Sequence, residues 1–233
     1  QLRYHPAPLE VKIAEGGTSV TVKSKVTVNG SIAALGASAD PERDEIRVEG
    51  KPLAIPVEKQ YIMLYKPRGY VTTMHDERGR KCVAELVRIP GLRLVPVGRL
   101  DLNSEGLLIM TNDGEAANRL MHPSHGVVKT YRVTVSGEAL DMALDRLRGE
   151  FTLDGHTVRA VSLEIMQATG DRAVLEIGIK QGLNRQVRRM CDSAGLRVHR
   201  LVRVAEGELR LDGLQSGQWR YLSAQERDYL LGL

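Results

Sequence analysis

A short polar connection between two apolar stretches concentrates the residue types that do acid, base or nucleophilic chemistry. The segment 98–106 reads Gly-Arg-Leu-Asp-Leu-Asn-Ser-Glu-Gly and holds two carboxylates, Asp101 and Glu105, beside an arginine and small polar residues. Connections carry function more often than the scaffold does, and a carboxylate with an ordinary pKa is ionised at neutral pH. Asp101 is therefore a candidate nucleophile or charge stabiliser. Two other interpretations stay open from the residues alone, because Asp101 can cap a turn or form the carboxylate pair of a glycoside hydrolase with Glu105.

An arginine-rich stretch at 180–203 supplies a second set of chemically able residues. It holds seven basic residues against one acid, a net charge of +6 where the whole chain carries +4. On a helix, Val187 falls on the apolar side, whereas Arg185, Arg188 and Arg189 share the opposite face. Guanidinium groups match the geometry of phosphates and carboxylates, so the stretch indicates a polyanionic partner. The alternative is a solvated helix face.

Several other chemistries lack their signatures in this chain. There is no glycine-rich nucleotide loop and no Gly-x-Ser-x-Gly nucleophile turn. The cysteines, Cys82 and Cys191, and a single close histidine pair, His122 and His125, interrupted by Pro123, predict neither a disulfide framework nor a metal site. No apolar run approaches the length of a membrane span, and no signal peptide is visible. We therefore expect a cytoplasmic protein without a metal or membrane partner.

The elements that must position these residues are strands interspersed with helices. Alternation of apolar and polar residues predicts strands, and an apolar stripe with capping signals predicts helices. The predicted strands are Tyr61–Tyr65, Tyr70–Met74, Leu92–Val97, Leu107–Thr111, Thr130–Val135, Val158–Met166 and Ala173–Lys180, and the predicted helices are Glu115–Met121, Glu138–Arg148 and Arg185–Ala194. Strands in series with helices at irregular intervals predict an α+β fold with a mainly antiparallel, mixed sheet.

The beginning of the chain is expected to form a separate small unit. Val20–Val28 is rich in β-branched residues and is followed by Asn29-Gly30, a strong signal for a tight turn. The prolines in 50–57 then indicate a connector, since proline interrupts helices and strand ladders. We therefore predict two domains, 1–56 including the connector and 57–233.

Four motifs in fixed order resemble the catalytic domain of bacterial ribosomal RNA pseudouridine synthases of the RsuA/RluB type, over 61–221. The motifs are Tyr65-Lys66-Pro67-Arg68-Gly69; Gly98-Arg99-Leu100-Asp101 with Ser104-x-Gly106-Leu107-Leu108 and Thr111-Asn112-Asp113-Gly114; Leu120-Met121-His122-Pro123 leading to Lys129-Thr130-Tyr131; and Gly182-Leu-Asn-Arg185-Gln186-Val187-Arg188-Arg189-Met190. In the first unit, 25–30 and 40–51 resemble the second half of an S4-type RNA-binding domain. The opening helices of such a domain are not legible in 1–23, so we expect a shortened or divergent S4-like domain.

The resemblance implies an enzyme that isomerises specific uridines of ribosomal RNA to pseudouridine without a cofactor. The likeness to the RluB branch favours the large-subunit RNA, either free or in a ribosome-assembly intermediate, and we expect a monomer. The alternative is a catalytically silent protein of the same fold that binds RNA or assists ribosome assembly. The presence of Asp101, Tyr131 and Arg188 together favours the enzyme.

The resemblance also assigns roles to individual residues. Asp101 is implied to be the essential carboxylate, Arg188 the basic residue that pairs with it, and Tyr131 the tyrosine that stacks on the target base and moves a proton. Val187 is implied to form an aliphatic wall of the base pocket. The remaining basic residues of the motifs are expected to contact phosphates or the extruded base: Arg99, Lys66, Arg68, Arg185 and Arg189. Packing is the plainer alternative for the tyrosine and the valine, and ordinary surface contact is the alternative for the arginines.

Overall fold

The computed structural model describes residues 9–13, 20–22, 26–34, 38–39, 44–53, 58–90 and 92–233. The chain divides into two compact units, one within 1–58 together with Ile89–Arg93, the other formed by Lys59–Arg88 and Leu94–Leu233. The second half of the predicted connector, 54–57, and most of the segment expected to open an S4-like domain lie outside the described residues. The S4 likeness therefore stays a prediction.

The first unit contains two small sheets. Its strands are β1 (Leu9–Ile13), β2 (Val20–Val22), β3 (Val26–Val28), β4 (Ser31–Ile32), β5 (Ser38–Ala39), β6 (Ile46–Val48) and β7 (Lys51–Pro52). One sheet has the order β2-β1-β5 and the other β4-β3-β6-β7. The predicted turn at Asn29-Gly30 joins β3 to β4, with φ angles of 51° and 80°, the left-handed values that tight hairpin turns require.

The second unit is built on a nine-stranded sheet. Its strands are β8 (Tyr61–Lys66), β9 (Val95–Pro96), β10 (Glu105–Thr111), β11 (Lys129–Ser136), β14 (Ser162–Thr169), β15 (Arg172–Ile179), β16 (Arg197–Glu206), β17 (Leu209–Arg210) and β18 (Trp219–Tyr221), and a separate hairpin is formed by β12 (Phe151–Leu153) and β13 (His156–Val158). The order is β14-β15-β11-β16-β10-β8-β18, with β9 beside β10 and β17 beside β16. The pairing of β10 with β16 is parallel, and the other strand pairings of this sheet are antiparallel. The predicted α+β fold with a mainly antiparallel mixed sheet is confirmed.

Helices cover both faces of this sheet. They are α1 (Gly114–Met121), α2 (Leu140–Leu147), α3 (Gln186–Ala194) and α4 (Ala224–Gly232), with short 3-10 turns at Val83–Glu85 and Pro123–His125. The helices α2 and α3 pack in one hydrophobic cluster with Leu201 of β16, and α1 and α4 pack in another with its neighbour Val202. Since successive side chains of a strand point to opposite faces, the two clusters lie on opposite sides of the sheet.

Three of the predicted elements differ from the structure. Tyr70–Met74 forms only an isolated bridge from Val71 to Cys82. Its threonine hydroxyls bind loop carbonyls, Thr72 that of Leu100 and Thr73 that of His75, each at 2.8 Å. The predicted strand Leu92–Val97 shortens to β9, and Val158–Met166 is divided between β13 and β14. The strands β16 to β18 and helix α4 were not predicted. The described residues contain no helix with the length and apolar character that crossing a bilayer requires.

Candidate active site

The turn that carries Asp101 is anchored by Lys66, the last residue of β8. The register of the two antiparallel strands places Lys66 opposite Gly106 at the start of β10. The Lys66 side chain is fully buried, and its Nζ donates to the carbonyl oxygens of Asp101 at 3.0 Å, Ser104 at 2.7 Å and Pro67 at 3.0 Å. This placement corrects the expected RNA contact of Lys66, because the ammonium is enclosed and its three donors are already used.

Burial of Lys66 changes its acidity. Loss of solvent lowers the pKa of the Lys66 ammonium to about 8, although the carboxylates of Asp101 and Glu105 attract the charge. Removal from water disfavours the charged form of a lysine. The ammonium is retained in this position by its hydrogen bonds to the turn.

The carboxylate of Asp101 points toward the beginning of α3. Its side chain is about one-third exposed, and its Oδ2 lies 3.9 Å from Nη1 of Arg185. Arg185 is the residue before α3 and has left-handed backbone angles, φ 51° and ψ 31°. The predicted helix Arg185–Ala194 therefore begins one residue later, and Arg185 belongs to the turn that leads into it.

Arg188 also binds the turn of Asp101, but at a backbone carbonyl and not at the Asp101 carboxylate with which it was expected to pair. Its Nη2 donates to the carbonyl oxygen of Asn103 at 2.8 Å. Burial lowers the pKa of Arg188, as does the neighbouring charge of Arg185, whereas Asp101 raises it. The structure thus corrects the expected pairing: within ion-pair distance Asp101 meets Arg185, and Arg188 holds the backbone of the turn beside it.

Tyr131 lies in β11, which pairs with β15 on one side and β16 on the other. Its register neighbours are Ile177 in β15 and Arg203 in β16. The ring is partly buried and packs against the hydrophobic cluster that contains Val187, which is itself 3% exposed. Burial raises the pKa of the Tyr131 phenol, Arg203 opposes that rise, and Asp101 contributes to it. The Asp101 carboxylate therefore acts electrostatically on both the Tyr131 phenol and the Arg188 guanidinium.

Of the remaining residues predicted to contact RNA, two have exposed side chains and one is held by a protein carboxylate. Arg68 is exposed, with its Nε 3.4 Å from Oδ1 of Asn103, and Arg99 is exposed two residues before Asp101. Arg189 instead makes two hydrogen bonds to the carboxylate of Asp154, at 2.7 and 2.9 Å. Its guanidinium is already held by a protein carboxylate.

Glu105, the second carboxylate of the connection, is also engaged. Arg200 donates to both of its oxygens, at 3.2 and 2.9 Å, and to the hydroxyl of Tyr65 at 3.2 Å. A carboxylate fixed in this way is poorly placed to act as the partner of Asp101 in glycoside hydrolysis. The described residues contain no group of three or more His, Cys, Asp or Glu side chains that could hold a metal ion.

Sequence reasoning missed four residues that shape this region. Asn103 and Arg200 bind predicted site residues, while Arg203 and Glu206 are each 2% exposed. The only signal for the last two was the presence of charged residues inside the apolar run Leu201–Glu206, since charged side chains are seldom fully buried without a partner.

Comparisons with known proteins bear on the family of this chain. The family model described as RNA pseudouridylate synthase matches residues 60–193. A protein of Aquifex aeolicus named an uncharacterized RNA pseudouridine synthase is 38% identical over 207 residues, covering 88% of this chain and 83% of that protein. The ribosomal large subunit pseudouridine synthase B of Haemophilus influenzae is 37% identical over 213 residues, covering 88% of this chain and 60% of that one. A crystal structure of a pseudouridylate synthase superposes with a TM-score of 0.67 at 30% identity and 89% coverage of both chains. The chain therefore belongs to the RNA pseudouridine synthase family, whose members are isomerases that act on RNA.

Proposed function

We propose that this chain isomerises specific uridines of large-subunit ribosomal RNA to pseudouridine, with Asp101, Tyr131 and Arg188 as its catalytic residues. The name of the Haemophilus influenzae relative supports the RNA class. The observation that carries the assignment of residues is the convergence of three separate segments. The turn of Asp101 accepts from Arg188 at 2.8 Å through Asn103, and Tyr131 is joined to the end of that turn by Arg203, which pairs with both Tyr131 and Gly106. We expect the reaction to take place in the cytoplasm, on free RNA or on an assembling ribosomal particle.

The reaction rearranges one nucleotide without adding or removing a group. The bond from ribose C1′ to uracil N1 breaks, the base turns, and a bond from C1′ to C5 forms; C5 loses its hydrogen to solvent and N1 gains a proton. An ionised carboxylate at Asp101 can attack the sugar, attack the base or remove a proton in an elimination. Arg185 stabilises the negative charge of Asp101, and Arg188 fixes the turn through the backbone of Asn103. All three routes therefore start from the same orientation of the carboxylate. None of these routes requires a cofactor.

Tyr131 supports the detached base. Because burial raises its pKa, the phenol is protonated at neutral pH and its hydroxyl is a hydrogen-bond donor. A half-buried aromatic ring beside the aliphatic side chain of Val187 provides a surface on which a uracil can stack. For Tyr131 to accept the C5 proton, its hydroxyl must first give up its own proton, and the phenolate formed in this way needs a nearby positive charge to stabilise it.

Access to the target needs further contacts. Extrusion of a base from its stack costs a few kcal/mol, which contacts to the backbone must offset. The exposed guanidinium groups of Arg68, Arg99 and Arg185 surround the turn of Asp101 and are suited to phosphates. The S4-like domain predicted for 1–56 would add a second RNA surface.

Release of tritium from a ribosomal RNA transcript labelled at uridine C5 tests the proposal. The wild-type chain should release tritium, and Asp101→Asn should slow that release by about a thousandfold or more while filter binding of the RNA changes by less than about threefold. Asp141→Asn, which alters an exposed carboxylate of α2 in the same unit, is the matched control and should release tritium at the wild-type rate.

Two outcomes would replace the proposal by another function. Tight binding without any tritium release by the wild-type chain would indicate a silent RNA-binding or ribosome-assembly protein. Free uracil as the product, with a requirement for Glu105, would indicate a hydrolase. Mapping of pseudouridines in a strain that lacks the protein, compared with its parent, would then identify the modified nucleotide.

A further inference from the structure

A buried pair of opposite charges lies beside the proposed catalytic residues and has no role in the chemistry described so far. Arg203 and Glu206 of β16 are each 2% exposed, and Nη2 of the arginine is 3.6 Å from Oε2 of the glutamate. Neither of these two atoms has a hydrogen-bond partner. Lys129 of β11 approaches the other glutamate oxygen to 3.7 Å. Burial of charged groups with incomplete hydrogen bonding costs several kcal/mol, so a pair in this state calls for a functional reason.

The position of Arg203 connects the two strands that carry the site. In β16 it is the register neighbour of Tyr131 on one side and of Gly106 on the other. Its Nε donates to the carbonyl oxygen of Leu107 at 2.8 Å, so the guanidinium is tied to β10 just after the turn of Asp101. No other residue of β16 is paired with both of these positions.

The phenol of Tyr131 belongs to the residue paired with Arg203 across β11 and β16. The charge of Arg203 lowers the pKa of this phenol. The other charges that act on the phenol are Glu206 of the same strand and Asp101 of the turn, and β15 presents the apolar Ile177. The positive charge beside the hydroxyl thus comes from Arg203.

We propose that Arg203 is a positioning residue of the isomerisation, which orients the Tyr131 hydroxyl toward the turn of Asp101 and supplies the positive charge that a phenolate would need. Glu206 holds the guanidinium in this orientation. The inference rests on the proposed function, because it gives Tyr131 a part in the reaction. Lysine cannot replace this arginine, since one ammonium cannot reach the Leu107 carbonyl and the phenol with the geometry of a planar guanidinium.

Steady-state kinetics of tritium release test the first part. Arg203→Lys should lower kcat by about tenfold or more and leave KM within about twofold, because RNA contacts are unchanged while the reacting groups are misaligned. The control is Arg220→Lys. Arg220 is a partly buried arginine that, like Arg203, lies beside a glutamate, and it binds Glu226 at 2.6 and 2.7 Å away from the proposed site. Its kcat should equal that of the wild type. A folded Arg203→Lys variant with unchanged kcat would overturn the proposal.

Fluorine NMR of protein labelled with 3-fluorotyrosine tests the second part without RNA. The chain has seven tyrosines, and Tyr131→Phe identifies the signal of Tyr131. Loss of the positive charge in Arg203→Met should raise the pKa of the Tyr131 phenol. Loss of the negative charge in Glu206→Gln should lower it. If the two substitutions only loosened the core, the pKa of Tyr131 would shift in the same direction in both variants. Because Glu206→Gln preserves side-chain volume, it tests the electrostatic role even where Arg203→Met does not fold. An unchanged pKa of Tyr131 in Glu206→Gln refutes that role.

The two levels of failure can be distinguished. A wild-type chain that releases no tritium refutes the proposed function, whatever the titration of Tyr131 shows. An active wild type, an inactive Asp101→Asn variant and a fully active Arg203→Lys variant together refute only the role of Arg203.

Discussion

The enclosed ammonium of Lys66 controls the position of Asp101 more directly than any arginine does. Lys66→Met keeps the apolar stem but leaves the carbonyls of Pro67, Asp101 and Ser104 without this donor. We expect kcat to fall by about 10- to 100-fold, since small displacements of a reacting group are costly. The free energy of unfolding at neutral pH should fall by about 1–3 kcal/mol, because buried acceptors lose their partner.

Urea unfolding and tritium release measure the two effects of Lys66→Met. The control is Lys180→Met, which alters an exposed lysine of the same unit and should unfold like the wild type. An active enzyme in which Lys66→Met changes neither quantity would show that the turn holds its shape without the ammonium.

The lowered pKa of Lys66 also predicts how stability depends on pH. In the folded protein this pKa is about 8, below the ordinary value of 10.5, so between these values the unfolded chain binds more protons than the folded one. Stability contributed by this group therefore rises as pH increases through that window, by at most about 3 kcal/mol. The free energy of unfolding of the wild type minus that of Lys66→Met, measured from pH 7 to 10.5, should increase; a constant difference would contradict the shift.

Among the elements, the parallel pairing of β10 with β16 brings the turn of Asp101 next to Tyr131. This pairing depends on Gly106, which has φ +111° and whose Cβ would lie 2.2 Å from the carbonyl oxygen of Arg203. Gly106→Ala should therefore separate the strands, lower the free energy of unfolding by about 3 kcal/mol or more and abolish tritium release.

The matched control for Gly106→Ala is Gly98→Ala. Gly98 also has a left-handed φ, +73°, but a Cβ there meets no atom within 4 Å. Its substitution should cost only the backbone strain of about 1 kcal/mol. Equal urea midpoints for the two variants would contradict the close approach of β10 and β16.

For the whole molecule, the salt dependence of RNA binding should differ between arginines with exposed side chains and Arg189, which a protein carboxylate holds by two hydrogen bonds. Each phosphate contact that is lost lowers the slope of log K against log salt by about one. Alanine at Arg68, Arg99 or Arg185 should reduce the slope in this way. Arg189→Ala should reduce it less, because Asp154 already binds that guanidinium; an equal reduction would mean that RNA displaces Asp154.

Local signals in the sequence determined the main elements and the residue types of the site. The strands β8, β10, β11 and β15 follow from apolar alternation or apolar runs, and α1 begins after Asp113 because its carboxylate accepts from Glu115 and Ala116. The motif around Asp101 was equally legible. These features depend on neighbours in the chain, so composition and spacing carry them.

The partners of the charged residues were decided only by the tertiary structure. Spacing alone does not reveal that Arg185 meets Asp101, that Arg188 binds Asn103, or that Lys66 is enclosed. The strand β16 was missed because its second half, 201–206, is covered on both faces, so this half lacks the alternation that marks a half-exposed strand. These contacts join segments that are remote in the chain. They are fixed by the register and direction of strand pairing, and no local pattern in the sequence specifies either of these.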